Sequence, residues 1–191
     1  MADVTQENID KLLKDAPSRV LDRVAGYMNV YKSIRWKHVS FVIPTNPIPS
    51  HRPRLSGYRV YVPGAAKTQS FFNKTVLPTL GNLFITTPCK VSTNLYIQTP
   101  KSFSLLQKIL AEMKILRPWG NVGDVDNYLK SVLDQIQPNE KRGHVGIMSN
   151  DSLVIDEDTH KYYSMTPRTE VSISFMGRIP EELAKVLRLI K

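Results

Sequence analysis

The chain has 191 residues, a formal net charge of +9 and a hydrophobic fraction of 41%, which suits one domain with a real core and room for a short arm. No uncharged apolar run approaches the roughly 18–20 residues needed to cross a bilayer, and the opening MADVTQENIDKLLKDAPSRV has no signal-peptide core, so the chain reads as cytoplasmic. The single cysteine, Cys89, excludes an intramolecular disulfide and a cysteine zinc cluster and reads as a small buried side chain, while the basic balance favours a polyanionic partner such as nucleic acid.

In chain order, residues 5–16 read as an amphipathic helix with Ile9, Leu12 and Leu13 on one face, interrupted by Pro17. Residues 18–34 read as a second helix, with Val20, Leu21, Val24, Met28 and Tyr31 at helical spacing. Together, residues 1–36 form an expected helical arm and residues 37–191 the main domain. HVSFVI (38–43) alternates as a strand does, and the proline-rich PTNPIPSHRPR after it cannot be a central strand. YRVYV (58–62) reads as a strand, 68–80 as a helix with a late proline, and KVSTNLYIQ (90–98) as a strand. Residues 102–116 read as a helix capped by Ser102 or Ser104. After the turn-rich RPWGNVGD comes a helix over about 126–136, presenting Leu129, Val132, Leu133 and Ile136 to the core and ended by Pro138. A short strand at 152–155, two strands in THKYYSM and TEVSISFM, and a helix at 180–190 complete the chain. The lack of regular βαβ alternation predicts an α+β fold, a mixed or antiparallel sheet with helices packed on one face.

The chemistry gathers in GDVDNYLKSVLD (123–134). Asp126, Lys130 and Asp134 fall four residues apart, on one helical face, with Asp124 in the loop before. Asp151 stands at a turn in SNDSLV, and Asp156, Glu157 and Asp158 read as a solvated turn beyond it. Two readings of the spacing remain open. Asp126 is an N-cap and the three residues a solvated charge ladder, worth about 0.2–0.5 kcal/mol per pair. Alternatively the aspartates hold a divalent metal, which activates water and neutralises a scissile phosphate, with a lysine stabilising the developing charge.

DVDNYLKSVLD, then NDSLV, then Lys161, preceded by RPRLSGYRVYVP (52–63), resembles the RusA family of Holliday junction resolvases over roughly residues 38–176. The family pattern is Asp-x-Asp-Asn-Leu-x-Lys-x-x-x-Asp, an interval, Asp-Asp-x-x-Val and a downstream lysine. The resemblance implies a homodimeric, Mg²⁺-dependent endonuclease, with Mn²⁺ able to substitute. Such an enzyme nicks opposed strands of a four-way DNA junction in a bacterial cell, encoded by the bacterium or a phage. It implies that Asp124, Asp126 and Asp151 bind metal, that Lys130 is the catalytic lysine, and that Asn127, Asp134 and Asn150 support them. Arg52, Arg54, Arg59, Lys67 and Lys161 are the expected DNA-binding residues. The chain departs from the pattern at Asn150, where the family usually has aspartate, and in PWGNVG, where some members carry a basic run. Asn150 keeps a second function in play, a non-catalytic branched-DNA-binding protein of the same fold. Trp119 reads as a core residue rather than a platform for an unpaired base, and the four histidines show no ligand spacing.

Overall fold

The computed structural model describes residues 4–50, 54–56, 59–61, 65–120 and 122–186, without the side chains of 4, 5, 54–56, 59–61, 65–68 and 142. The chain forms two compact units, one of Met1–Trp36 with Met176–Lys191, the other of Lys37–Phe175.

In the first unit, α1 (Val4–Lys14) and α2 (Ser18–Ser33) follow the expected periodicity, with Pro17 at the N-cap of α2. Their apolar faces nevertheless stay open: Ile9, Leu12, Leu13, Val20, Leu21, Val24, Met28 and Tyr31 are all exposed. The C-terminal helix α6 (Glu181–Val186) packs against α2, with Leu183 and Ala184 buried.

The second unit is built on a mixed four-stranded sheet of order β1-β6-β4-β5, comprising β1 (Trp36–Ile43), β4 (Cys89–Gln98), β5 (Val154–Ser164) and β6 (Arg168–Met176). β4 runs parallel to β5 and antiparallel to β6. The α+β expectation holds. A hairpin separate from the main sheet pairs β2 (Arg54–Ser56) with β3 (Arg59–Tyr61). The expected helix at 68–80 is α3 (Ala65–Thr75), followed by a 3₁₀ turn at Leu77–Leu80 where Pro78 enters. The next helix, α4, is shorter than expected (Leu105–Glu112) and opens on a capping box: Ser104 Oγ accepts from Gln107 N while Gln107 Oε1 accepts from Ser104 N. α5 spans Val125–Ile136.

Alternation along β4 buries Val91, Thr93, Leu95 and Ile97 against Phe72 of α3 and Tyr128, Val132 and Ile136 of α5. The other sheet face is polar, carrying the Ser40–Ser172 and His38–Ser174 bonds. Cys89 is fully buried beside Met148 Sδ at 3.6 Å, and burial pushes its thiol up to about 11. His144 is buried too. It donates Nε2–H to Gln135 O and meets Asn73 through Nδ1, joining α3 to α5, and burial holds its pKa below the ordinary value.

Two local expectations are corrected. Asp156, Glu157 and Asp158 do not form a turn; they are paired residues of β5, opposite Lys90, Val91 and Ser92. A run of carboxylates reads as solvated turn, but the ladder with β4 carries the strand through it. Trp119 is not a core residue: it is 81% exposed.

Candidate active site

α5 begins at Asp124, whose extended backbone (φ −80°, ψ 151°) makes it the N-cap residue, although its side chain makes no capping bond. Asp126 is therefore in the first turn rather than at the cap, and Asp124 is left exposed. The approach to Asp124 is pinned at two successive carbonyls. Tyr128 Oη donates to Val122 O at 2.7 Å, and Lys161 Nζ donates to Gly123 O at 2.6 Å. Gly123 has φ +96°, a backbone that side-chain-bearing residues rarely adopt, and a Cβ there would press on the Tyr128 ring at 3.2 Å. Ser50 N donates to Asn127 O at 2.8 Å, tying the proline-rich segment to the same end of α5. This bond uses the main chain of Asn127 and not the side-chain amide expected to support the site.

Asp151 is brought in by a different route. The chain returns from the end of α5, where Ile147 N and Met148 N both donate to Ile136 O, and reaches a 3₁₀ turn at Asp151–Leu153. Asn150 caps that turn, its Oδ1 accepting from Ser152 N at 2.8 Å. Capping is a role that asparagine and aspartate fill about equally well, so the departure at position 150 preserves the local geometry.

Asp126, Lys130 and Asp151 line one open concavity of about 490 Å³ between α5 and the start of β5. Val125, Leu129 and Leu133 supply its apolar wall and Glu157 completes it. Leu129 belongs to this wall, whereas Val132 and Ile136 fill the core as expected. The sequence pattern assigns Glu157 to a turn because carboxylates interrupt the apolar alternation; in the continuous β5, residues 157, 159, 161 and 163 share a face, which puts Glu157 on the side of Lys161. Asp126 and Lys130 are not ion-paired with each other, so the charge ladder does not form between them. Asp134 lies outside the concavity, half-buried, with its carbonyl accepting from Gln69 Nε2.

Of the expected DNA-binding residues, Arg52 falls outside the described residues. Arg54 and Arg59 are in the hairpin and Lys67 is in α3, with side chains outside the description. Lys161 is half-buried and engaged with Gly123.

Among the described residues, no three histidine, cysteine or carboxylate side chains form a ready-made metal cage. The donors present still fit a hard divalent cation. Mg²⁺ usually takes one or two carboxylates and completes its shell with water and substrate phosphate, and Asp126 and Asp151 line the same open concavity. Among the described residues, no helix is long and apolar enough to cross a membrane.

The family model described as Endodeoxyribonuclease RusA matches residues 44–174, a span that contains every groove residue. The chain is also 32% identical over 142 residues to the uncharacterized protein YqaN of Bacillus subtilis (strain 168), covering 71% of this chain and 94% of that relative.

Proposed function

The chain belongs to the RusA endodeoxyribonuclease family, and from that premise we propose that it is a divalent-metal-dependent, structure-selective endonuclease. Its substrate is a four-way DNA junction, cut by paired nicks. It acts as a homodimer in the bacterial cytoplasm, encoded by the bacterium or a phage. The observation that carries this reading is the convergence of Asp126 and Lys130 from α5 with Asp151 from a separate turn on one concavity.

Each residue has a distinct task. Asp126 and Asp151, with Asp124 at the helix start, supply hard oxygen donors for Mg²⁺ or Mn²⁺. A cation held there supplies water activation and charge neutralisation at a scissile phosphate. Lys130, one turn after Asp126, presents an ammonium to the phosphate oxygens and stabilises charge as it builds. Lys161 and Tyr128 hold the peptide carbonyls ahead of Asp124, so the first carboxylate enters from a fixed backbone. Asn150 fixes the turn that presents Asp151.

The test is cleavage of an end-labelled synthetic four-way junction, with linear duplex and fork controls, in Mg²⁺ and in EDTA. Symmetric paired nicks confined to the junction and lost in EDTA are expected. Asp126→Asn should lower the rate roughly a hundredfold or more, with junction binding retained. An Asp126→Asn protein cutting at the normal rate would sink the site assignment. Tight junction binding without nicks in either metal would instead select the non-catalytic binding protein.

A further inference from the structure

A second cluster stands away from the groove, on the polar face of the sheet. Tyr96 of β4 and Tyr162 of β5 are register partners, and their rings stack with centroids 5.4 Å apart at 30°. Both rings are nearly buried, at 8% and 9% exposure, and cations lie over them. Arg168 lies 3.7 Å from the Tyr96 centroid and is ion-paired with Glu170 at 2.8 Å. Lys114 and Arg117 lie 4.8 and 5.0 Å from the Tyr162 centroid.

The backbone that delivers Lys114 is unusual. Lys114 closes the C-terminus of α4 in the left-handed region (φ 61°), the one non-glycine residue among those described with positive φ. Glycine is the common residue at such a helix end because a side chain is strained there. Here the lysine's side chain is carried over the two tyrosines, and Arg117 Nε donates to Lys114 O at 3.3 Å, joining the two cations in one turn.

The two cations of this turn are not ion-paired with a described carboxylate. Glu112, the nearby carboxylate of α4, accepts from Ser164 Oγ and Met165 N, Glu170 is taken by Arg168, and Asp158 by His160. No ion pair reaches Lys114 or Arg117 from the described residues. A ring face attracts a cation without neutralising it, so two like charges are held over one ring and repel each other. An anion between them relieves that repulsion.

We propose that Lys114 and Arg117, mounted on the Tyr96–Tyr162 stack, form a seat for backbone phosphates of the DNA outside the groove. The naming of DNA rests on the nuclease reading above; the cation pair itself does not. Arg117 and Asp124 lie on the same connection between α4 and α5, so one segment carries both the phosphate seat and the first residue of the site. Two such contacts add no sequence information. They hold an arm of the substrate while the groove acts on another phosphate.

The experiment measures duplex and junction binding by fluorescence anisotropy against salt concentration, in EDTA, with the full chain. Each phosphate contact contributes about 0.9 to the slope of log affinity against log salt. The Lys114→Gln/Arg117→Gln protein should show a slope shallower by about 1.8, and the charge-preserving Lys114→Arg/Arg117→Lys protein a slope near wild type. A wild-type slope in the glutamine variant overturns the proposal. If that variant does not fold, acylation of wild-type protein decides: duplex DNA should protect the Lys114 amine, and unchanged labelling overturns the proposal. A wild-type chain that binds no DNA at all removes the nuclease reading, and this inference with it.

Discussion

A lysine on an edge strand is ordinarily a solvated charge that discourages edge-to-edge pairing. Lys161 occupies such a strand, because β5 ends the sheet, yet its ammonium points inward to the carbonyl of Gly123. That carbonyl belongs to the peptide leading directly into Asp124, and Gly123 adopts a backbone that few other residues can hold. The consequence separates two roles that sequence alone left merged. If Lys161 positions the loop, Lys161→Met should lower the cleavage rate at saturating junction roughly tenfold while leaving DNA affinity and its salt slope near wild type. If it contacts phosphate instead, affinity should fall and the slope should drop by about one. Single-turnover cleavage with parallel anisotropy titrations distinguishes the two outcomes.

The elements explain how two carboxylates distant in sequence reach one groove. α5 presents Asp126 and Lys130, and its last carbonyl, Ile136 O, receives Ile147 N and Met148 N from the returning chain. Gly146 makes that return possible. A Cβ there would stand 2.5 Å from Gln137 C and 2.7 Å from Ile136 O, at φ +68°. Gly146→Ala should therefore cost about 3 kcal/mol or more and displace Asp151, whereas Gly143→Ala, at φ +63° with open space around it, should cost only about 1–2 kcal/mol. Denaturant titration of both proteins checks the contrast; equal losses would refute the steric argument. The sequence was most legible where one period ran unbroken, as in β4 and α5, whose bounds match expectation to within a residue. It was least legible at 156–158, where three carboxylates split into two expected strands what is one strand paired with β4. The same split hid Glu157. The motif aspartates could be picked out by order and type, but Lys161's bond to Gly123 and Asn150's capping bond depend on tertiary placement that no local pattern encodes.

At the scale of the whole molecule, the division of the chain bears on where the enzyme ends. The helical arm was expected to stop at residue 36, with everything after it in one domain, and α6 complicates that division because it packs with α2. Removing α1 and α2 alone would uncover Leu183 and Ala184, so an arm deletion that leaves α6 in place should aggregate for reasons unrelated to catalysis. Every residue lining the groove, and every residue of the cation–tyrosine cluster, lies in Lys37–Phe175. The bond from Gly177 N to Arg35 O lies in the first unit, next to the residues that border Lys37–Phe175 in sequence. A chain cut back to residues 35–177 retains this bond and loses α1, α2 and α6 together. It should fold cooperatively and cut the junction within about tenfold of the full chain, read by denaturant unfolding and single-turnover cleavage, if the chemistry resides in the sheet and α5 alone. A well-folded shortened chain that binds metal and DNA but does not cut would show that the helices outside this unit complete the active enzyme, for instance by holding two copies together.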